Sequence, residues 1–371
     1  MKLKFSIYEL MREVGVTKRG DLQAIIDKTN LRPDHVYEYA KGKRTLIRLE
    51  ELELLFNYLL KHKENVDIDF NQLFYFESDP LFDLAFGPSG CRIYMGEYIE
   101  MRGDRIVGRW ISRRDMTVYS MIMEKFPPEI RANFSHKYIP FCYAPDESHR
   151  VDTKTFDSDV SRTREIYRNI LKTGGKETIV AIGSQKSNHL SEVIYSKIFK
   201  VPLHAQFKQI DKKENLKTPV YCVYRKNDTN IPSCFGGPKH PDKQVKSNTP
   251  GIYYLDQDMR WNLCEVTPQS DAGIVVVSEG QITPNIKVLL LFGFTGRSSQ
   301  VVGEYLLDHP EDFWPPVIDN ANWKLGVYIC KITYKKGYEH NIEGEMKYAC
   351  DVIALDKGVL NKYARKPRQT E

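Results

Sequence analysis

The sequence predicts a multidomain chain that combines an all-α head, a β-rich middle region and a C-terminal α/β domain. Three patterns predict this fold class. Apolar residues recur at helical spacing in roughly the first sixty residues, and they alternate in strand fashion over 91–112. In the C-terminal half, two apolar runs of buried-strand type each lead into a small polar loop and an amphipathic helix. We therefore expect domains at 1–64, 65–155 and 156–371.

The head contains a series of short helices. A first helix is predicted over 7–14. A second begins near Asp21, a good N-cap residue, and Asn30 breaks it. After Pro33, a third helix covers 34–41, and a longer Leu-rich helix follows. Two short helices joined by a tight turn form a helix-turn-helix arrangement.

Residues 21–59, DLQAIIDKTNLRPDHVYEYAKGKRTLIRLEELELLFNYL, resemble the Cro/XRE family of helix-turn-helix DNA-binding domains. The likeness covers about residues 5–62 and rests on the Gly-Lys step and the Leu-rich helix that follows. It implies double-stranded DNA as the partner, a third helix in the major groove and a homodimer on a two-fold site. The positions that it assigns to base edges are Arg32, Asp34, His35 and Tyr37, and those that it assigns to phosphates are Thr17, Lys18, Arg19, Lys41, Lys43 and Arg44.

Two acidic residues on the presumed reading helix, Asp34 and Glu38, depart from the family's pattern. A carboxylate can accept a hydrogen bond from cytosine N4, but carboxylates next to phosphates repel. A helical head that binds protein instead of DNA therefore stays open as an alternative.

The middle region is dense in arginine. Alternation over 91–112, with a turn at 103–105, predicts a β-hairpin. Acidic residues are interspersed with the arginines. We therefore interpret this region as a solvated sheet face, with an anion-binding surface as the alternative.

Two strand–loop–helix units dominate the C-terminal region. The first is a strand over 178–182 with a helix over 189–200, and the second is a strand over 287–294 with a helix over 300–307. Two such units predict a Rossmann-like, mixed sheet whose parallel strands carry both loops at one edge. Backbone N–H groups and helix N-termini at such an edge suit an anion. We therefore expect a crevice for a small anionic or nucleotide-like ligand.

The candidate ligand-binding residues are the hydroxyl, amide, glycine and cationic residues of the two loops. They are Ser184, Lys186, Ser187, Asn188, Thr295, Gly296, Arg297 and Ser298. Neither loop is a GxxxxGK(S/T) P-loop or a GxGxxG dinucleotide motif. Ser, Thr and Asn are also the preferred N-caps of helices, so ordinary capping is the alternative interpretation.

Composition excludes several classes of protein. Hydrophobic residues are 41% and charged residues 28% of the 371, with a formal net charge of +5, which argues against a wholly disordered chain. The longest uncharged apolar run, 288–294, has the length of a strand, so we expect no membrane association. The polar N-terminal segment does not resemble a signal peptide, which predicts a cytoplasmic protein. The seven cysteines form no CxxC motif, and we expect reduced thiols, no metal and no cofactor.

The layout predicts a sequence-specific DNA-binding transcription regulator whose α/β domain senses a ligand. The first alternative is a nucleotide- or nucleoside-processing enzyme, or a nucleotide-triggered effector, with the same head. Its catalytic residues would be Glu192, next to the first loop, and Asp256 and Asp258, which would share one face of a strand. None of them stands at a spacing that a mechanism demands, so we assign no catalytic residue and favour the regulator. A protein–protein adaptor is the third class.

Overall fold

The computed structural model of the chain describes residues 2–5, 11, 18–41, 51, 54–55, 58, 74–77, 91–102, 105–126, 131–143, 153–172, 178–184, 187–201, 203, 218–226, 234–246, 248–284, 286–320, 322–336 and 347–366. The chain divides into two compact units, 1–82 and 83–371. No helix among the described residues is both long and apolar enough to cross a bilayer.

The elements of the first unit whose bounds are described are two short helices and a two-stranded sheet. Helix α1 (Arg19–Thr29) and helix α2 (Pro33–Ala40) are joined by three residues. Strands β1 (Lys2–Phe5) and β2 (Phe74–Glu77) pair antiparallel. Asn30 ends α1 in the left-handed conformation, with a φ of 59°, as its position in the sequence predicts.

The start of α1 differs from the prediction by three residues. Lys18, not Asp21, is the N-cap residue, and Asp21 is the third helical residue. The Asp21 carboxylate reaches back to accept from the Lys18 backbone N–H at 3.4 Å. An acidic residue at the third helical position accepts from an otherwise unpaired backbone N–H, as the side chain of an N-cap residue does. The same residue type therefore suits both positions, and the sequence pattern alone does not separate them. The predicted helix over 7–14 and much of the Leu-rich helix lie outside the described residues.

The second unit is built around a mixed sheet of nine strands and a smaller sheet of four. In chain order the strands are β3 (Cys91–Arg102), β4 (Arg105–Ile111), β5 (Phe134–Tyr143), β6 (Thr178–Ile182), β7 (Val220–Val223), β8 (Gly236–Gly237), β9 (Gly251–Leu255), β10 (Trp261–Glu265), β11 (Ser270–Glu279), β12 (Lys287–Gly293), β13 (Ile318–Asn320), β14 (Trp323–Tyr334) and β15 (Tyr348–Ala354). The helices are α3 (Arg113–Lys125), α4 (Thr153–Lys172), α5 (His189–Phe199), α6 (Gly296–Asp308) and α7 (Lys357–Tyr363), with a 3₁₀ turn at Pro310–Asp312.

Four neighbouring strands of the large sheet run parallel, in the order β12, β6, β3 and β5. On the far side of β12 the strands become antiparallel, first β11, then β14, with β15 and β13 at the outer edge. Strand β4 pairs antiparallel with β3, as the predicted hairpin requires. The small sheet has the order β10, β9, β7, β8. The expected mixed sheet and the multidomain α/β class are confirmed.

The predicted middle region is not separate in the structure. Strand β3 lies between β6 and β5, so 91–143 belongs to the same sheet as the C-terminal strands. Ile93, Tyr94 and Met95 are fully buried, which is typical of a central strand covered on both faces. Alternation of apolar residues identifies a strand but not its neighbours in the sheet, and the sequence-based boundary at 155/156 therefore differs from the observed one.

Helices cover both faces of the large sheet. On one face, α4 and α5 share a core with the small sheet and with alternate residues of the central strands, such as Ile179, Ala181 and Leu290. On the other face, α6 contacts β11, β12 and α3. Gly303 lets α6 approach α3, because a Cβ there would lie 2.7 Å from the Val118 side chain. The core also buries Cys91, Cys222, Cys234, Cys264 and Cys330, whereas Cys350 is half-buried.

Candidate functional site

The two polar loops that the sequence singled out lie side by side. Strands β6 and β12 are parallel neighbours, with Ile182 opposite Leu291 in the register. Their carboxyl ends therefore meet at one edge of the sheet. The chain leaves β6 through Gly183 towards α5, and it leaves β12 through Phe294 and Thr295 into α6.

The helices that follow these strands cover opposite faces of the sheet. Leu190 and Val193 of α5 pack in the core with Ile179 and Ala181. On α6, Val302 lies against Gly273 of β11. Because successive residues of a strand alternate between the two faces of a sheet, Gly273 lies on the face opposite to the one that α5 covers. When the connections from two adjacent parallel strands diverge in this way, a crevice opens between their loops.

A cavity of about 200 Å³ occupies this crevice. Besides the two loops, the end of β3 and the start of α3 contribute to its wall. The lining residues are Tyr98, Ser112, Asp115, Ser184, Ser187, Gly293, Phe294, Thr295, Gly296 and Ser299. No lysine or arginine is among them.

Gly96 allows the first loop to lie directly on β3. A Cβ at this position would stand 1.6 Å from the backbone oxygen of Ser187. Only glycine tolerates such an approach. The contact fixes Ser187, which lines the cavity, against the central strand of the sheet.

Asp115 is the feature of the cavity that sequence reasoning missed. It is the third residue of α3, and its backbone N–H donates to the Oγ of the N-cap residue Ser112 at 3.4 Å. Its side chain is buried, with 3% of the residue exposed. Among the described residues, no hydrogen bond or ion pair engages its carboxylate. Burial raises the pKa of Asp115 to about 7. The Ser-x-x-Asp spacing at 112–115 is a capping signal that could have identified this helix start.

A second buried carboxylate, Asp271, lies behind the α6 loop. It accepts hydrogen bonds from the Thr295 hydroxyl, from the Ala272 N–H at 2.8 Å and from the Tyr334 hydroxyl at 3.4 Å. Burial raises its pKa, whereas these bonds oppose the rise. Unlike Asp115, this carboxylate is satisfied within the protein and holds Thr295 in place.

The predicted ligand-binding residues divide into cavity-lining and helix-capping groups. Ser184, Ser187, Thr295 and Gly296 line the cavity. Asn188 is fully buried, and its Oδ1 accepts from the Leu190 N–H at 3.1 Å while its Nδ2 donates to the carbonyls of Tyr94 and Ile182. Asn188 therefore caps the start of α5. Thr295 caps α6 in the same way, because its Oγ1 accepts from the Ser298 N–H at 3.3 Å.

Arg297, one of the two predicted cationic ligands, is not among the described residues that line the cavity. The Arg297 guanidinium lies over the Tyr334 ring, 4.7 Å from its centroid. Lys186 lies outside the described residues. The described residues of the wall offer several hydroxyl groups and one carboxylate, that of Asp115.

The three carboxylates considered for an enzyme lie away from the cavity. Glu192 is buried on α5, and its Oε1 accepts from the Cys234 backbone N–H at 2.9 Å. Asp256 and Asp258 lie in the turn that follows β9, not on a strand. Asp256 accepts from the Arg260 N–H and the Asn262 side chain, and these bonds lower its pKa.

In the first unit, the structure separates exposed from buried DNA-binding candidates. Lys18, Arg32, Asp34 and Lys41 are exposed and Tyr37 is half-buried. Arg32 pairs with Asp34 at 2.8 Å, and the hydrogen bond from Arg32 lowers the pKa of Asp34. Thr17, Lys43, Arg44 and the side chain of Arg19 lie outside the described residues.

His35, which the resemblance assigns to base edges, is buried in the structure. Its Nδ1 lies 3.1 Å from Glu51 Oε1. It follows Pro33 on the face of α2 that also buries Val36. The family pattern assigns positions by sequence offset, whereas the helix phase turns this ring inward.

Comparisons with protein-family models, curated proteins and solved structures found no match to the chain. Within the described part of the chain, no three His, Cys, Asp or Glu side chains gather as a metal-binding group.

Proposed function

We propose that the chain is a DNA-binding regulator whose second unit binds a small ligand rich in hydrogen-bond donors, such as a ribose or nucleoside, in the crevice beside Asp115. The observation that carries the proposal is this buried carboxylate, which no described donor satisfies. An unsatisfied buried acceptor is costly, and a ligand that donates to it removes that cost on binding.

The shape and polarity of the crevice support the same ligand class. It lies where ligands bind in open α/β sheets, between loops whose helices diverge. Its volume of about 200 Å³ suits a sugar-sized group. The hydroxyls of Ser112, Ser184 and Ser187 line it beside Asp115. Such hydroxyls can both donate and accept, as vicinal hydroxyls of a ligand require.

The head supports the DNA-binding part of the proposal. Helices α1 and α2 are joined by the three residues 30–32, a connection of the length that a helix-turn-helix uses. Lys18, Arg32 and Lys41 are exposed and could meet phosphates. A homodimer on a two-fold DNA site completes the proposal.

The ligand is tested by thermal unfolding of the full chain with a panel of nucleosides and sugars. A ligand of the crevice should raise the Tm of the wild type, and Asp115→Asn should abolish the rise. Glu124→Gln is the matched control, because Glu124 is an exposed acid on the same helix. Equal shifts in Asp115→Asn and the wild type would contradict the proposed role of Asp115.

DNA binding is tested by selection from a random DNA pool. The wild type should enrich a palindromic site. The double variant Arg32→Ala/Lys41→Ala should bind it more weakly, with a salt dependence reduced by about one phosphate contact for each cation. Lys243→Ala/Lys357→Ala, which removes two exposed cations of the second unit, serves as the control. No enriched site would favour a protein-binding head.

A nucleoside-processing enzyme is the second candidate, and the pKa of Asp115 favours it. A carboxyl group with a pKa of about 7 can serve as a general acid or base at neutral pH. Incubation of the chain with the nucleosides that bind, followed by chromatography, separates the two functions. Product formation that Asp115→Asn loses would identify an enzyme, and binding without products would identify a sensor.

A further inference from the structure

A second, larger cavity of about 610 Å³ lies beside α4 and α5. Gln281 and Ile282, which follow β11, and Arg365, which follows α7, complete its wall. It shares no lining residue with the crevice at Asp115. Its volume falls in the range of pockets that hold nucleotide-sized ligands.

The lining of this cavity is strongly cationic. Arg164 and Arg168 stand one helical turn apart on α4, Lys197 comes from α5 and Arg365 from the C-terminal segment. No aspartate or glutamate is among the described residues that line the cavity. Among the described residues, no ion pair or hydrogen bond engages the four charged groups. Four clustered like charges repel one another, and an anion between them would relieve that repulsion.

The backbone around the cavity is held in place. The Arg365 N–H donates to the Ile198 carbonyl at 2.7 Å. The buried Gln281 side chain donates to the same carbonyl at 3.3 Å and to the Arg365 carbonyl at 3.0 Å. These bonds attach the C-terminal segment to the end of α5, so the Arg365 backbone is fixed before any ligand binds. Pre-organisation of this kind reduces the cost of binding.

We propose that this cavity binds a small polyphosphate anion, of the kind carried by a nucleoside diphosphate or triphosphate. The two arginines of α4 offer planar forks that match phosphate oxygens. Lys197 and Arg365 add charge on the other walls. The half-buried apolar side chains of Leu171 and Ile282 provide a surface for a less polar part of the ligand, such as a base.

The geometry favours a compact anion over a nucleic acid. The cations surround one cavity from α4, α5 and the segment after α7. A nucleic-acid backbone is usually followed by a groove or stripe of positive charge along the protein surface. Binding of DNA or RNA by these cations would therefore contradict the proposal.

The test is calorimetric titration of the full chain with inorganic triphosphate, with ATP and with adenosine. Triphosphate and ATP should bind the wild type, and adenosine should bind much more weakly at this site. Arg164→Gln/Arg168→Gln should weaken binding of both anions about a hundredfold or more, because it removes two guanidinium groups that would make charge-assisted hydrogen bonds to phosphate oxygens. Arg168→Gln alone should give a smaller loss.

Arg162→Gln is the matched control, because Arg162 is an exposed arginine of α4 that does not line the cavity. It should bind as the wild type does, and circular dichroism should show all variants folded. Failure of the wild type to bind either anion, or equal binding by all variants, would overturn the proposal. Binding only of oligonucleotides, lost in the double variant, would also overturn it. Asp115→Asn should leave the binding of inorganic triphosphate unchanged, because this anion carries no ribose or nucleoside for the crevice.

Discussion

At the scale of single residues, Asp115 sets the balance between stability and binding in the crevice. It is buried at the start of α3, and its carboxylate finds no donor among the described residues. A protein accepts such a cost more readily where a ligand removes it, which is why perturbed carboxyl groups cluster at functional sites. The same residue should therefore weaken the empty fold and strengthen the complex.

The pH dependence of stability should carry the signature of Asp115. In the unfolded chain this carboxyl titrates near 3.8, and in the folded chain its pKa is about 7. Below pH 3.8 both forms are protonated and the group costs nothing. As the pH rises from 3.8 to 7, the carboxyl ionises in the unfolded chain while burial keeps it protonated in the folded chain, so the free energy of unfolding falls by up to about 4 kcal/mol.

Asp115→Asn should remove this contribution. Urea unfolding at pH 5 and pH 8 should show the variant more stable than the wild type at pH 8, with the difference shrinking at pH 5. Glu124→Gln on the same helix should not reproduce the effect. Identical pH profiles for Asp115→Asn and the wild type would mean that the carboxylate is solvated or paired.

Asn188 illustrates how one buried side chain can connect three elements. It caps α5 and donates to carbonyls of β3 and β6. Asn188→Asp keeps the capping acceptor but turns both donors into acceptors. We expect a loss of at least about 2 kcal/mol in the free energy of unfolding at pH 7, measured by urea denaturation. If Asn188 were only an N-cap, aspartate would replace it without loss.

At the scale of elements, the contact between the first loop and β3 shapes the crevice. Gly96→Ala would place a Cβ 1.6 Å from the Ser187 oxygen. We expect it to lower the free energy of unfolding by about 1–3 kcal/mol or more and to weaken ligand binding in the crevice. Thermal unfolding and titration with a crevice ligand measure both effects.

Gly20→Ala is the comparison for this variant. Gly20 lies in α1 with nothing within 4 Å of an added Cβ. It should be neutral or slightly stabilising, since alanine favours a helix. A Gly96→Ala protein as stable as Gly20→Ala would show that the loop moves away from β3 at little cost.

Elements with strong local signals could be predicted, but the site between them could not. The apolar runs of β6 and β12 and the polar loops after them identified two walls of the crevice. Asp115 escaped because it lies far away along the chain, in a region interpreted as a solvated sheet face. Its role depends on β3 pairing with β6. Such long-range parallel pairing leaves no trace in the periodicity of either strand.

At the scale of the whole molecule, the domain boundaries expected from the sequence differ from the division of the chain in the structure. It separated 65–155 from the C-terminal domain, whereas the structure divides the chain after Phe82. The pattern of apolar residues differs between antiparallel and parallel strands. When only local patterns are considered, such a difference resembles a change of domain. Here parallel and antiparallel strands occur in one mixed sheet, which is common among large sheets.

The alkylation rates of the buried cysteines report how fast the second unit opens. The thiolate is the form that reacts with alkylating reagents, and burial raises the pKa of Cys91 to about 12 and that of Cys264 to about 11. Under native conditions, mass spectrometry should therefore find Cys350 alkylated before Cys91 and Cys264, each of which reacts only as fast as the sheet that contains it opens. Low concentrations of urea should speed their labelling more than that of Cys350. Equal native rates at Cys91 and Cys350 would show that the first strand of the sheet detaches without global unfolding.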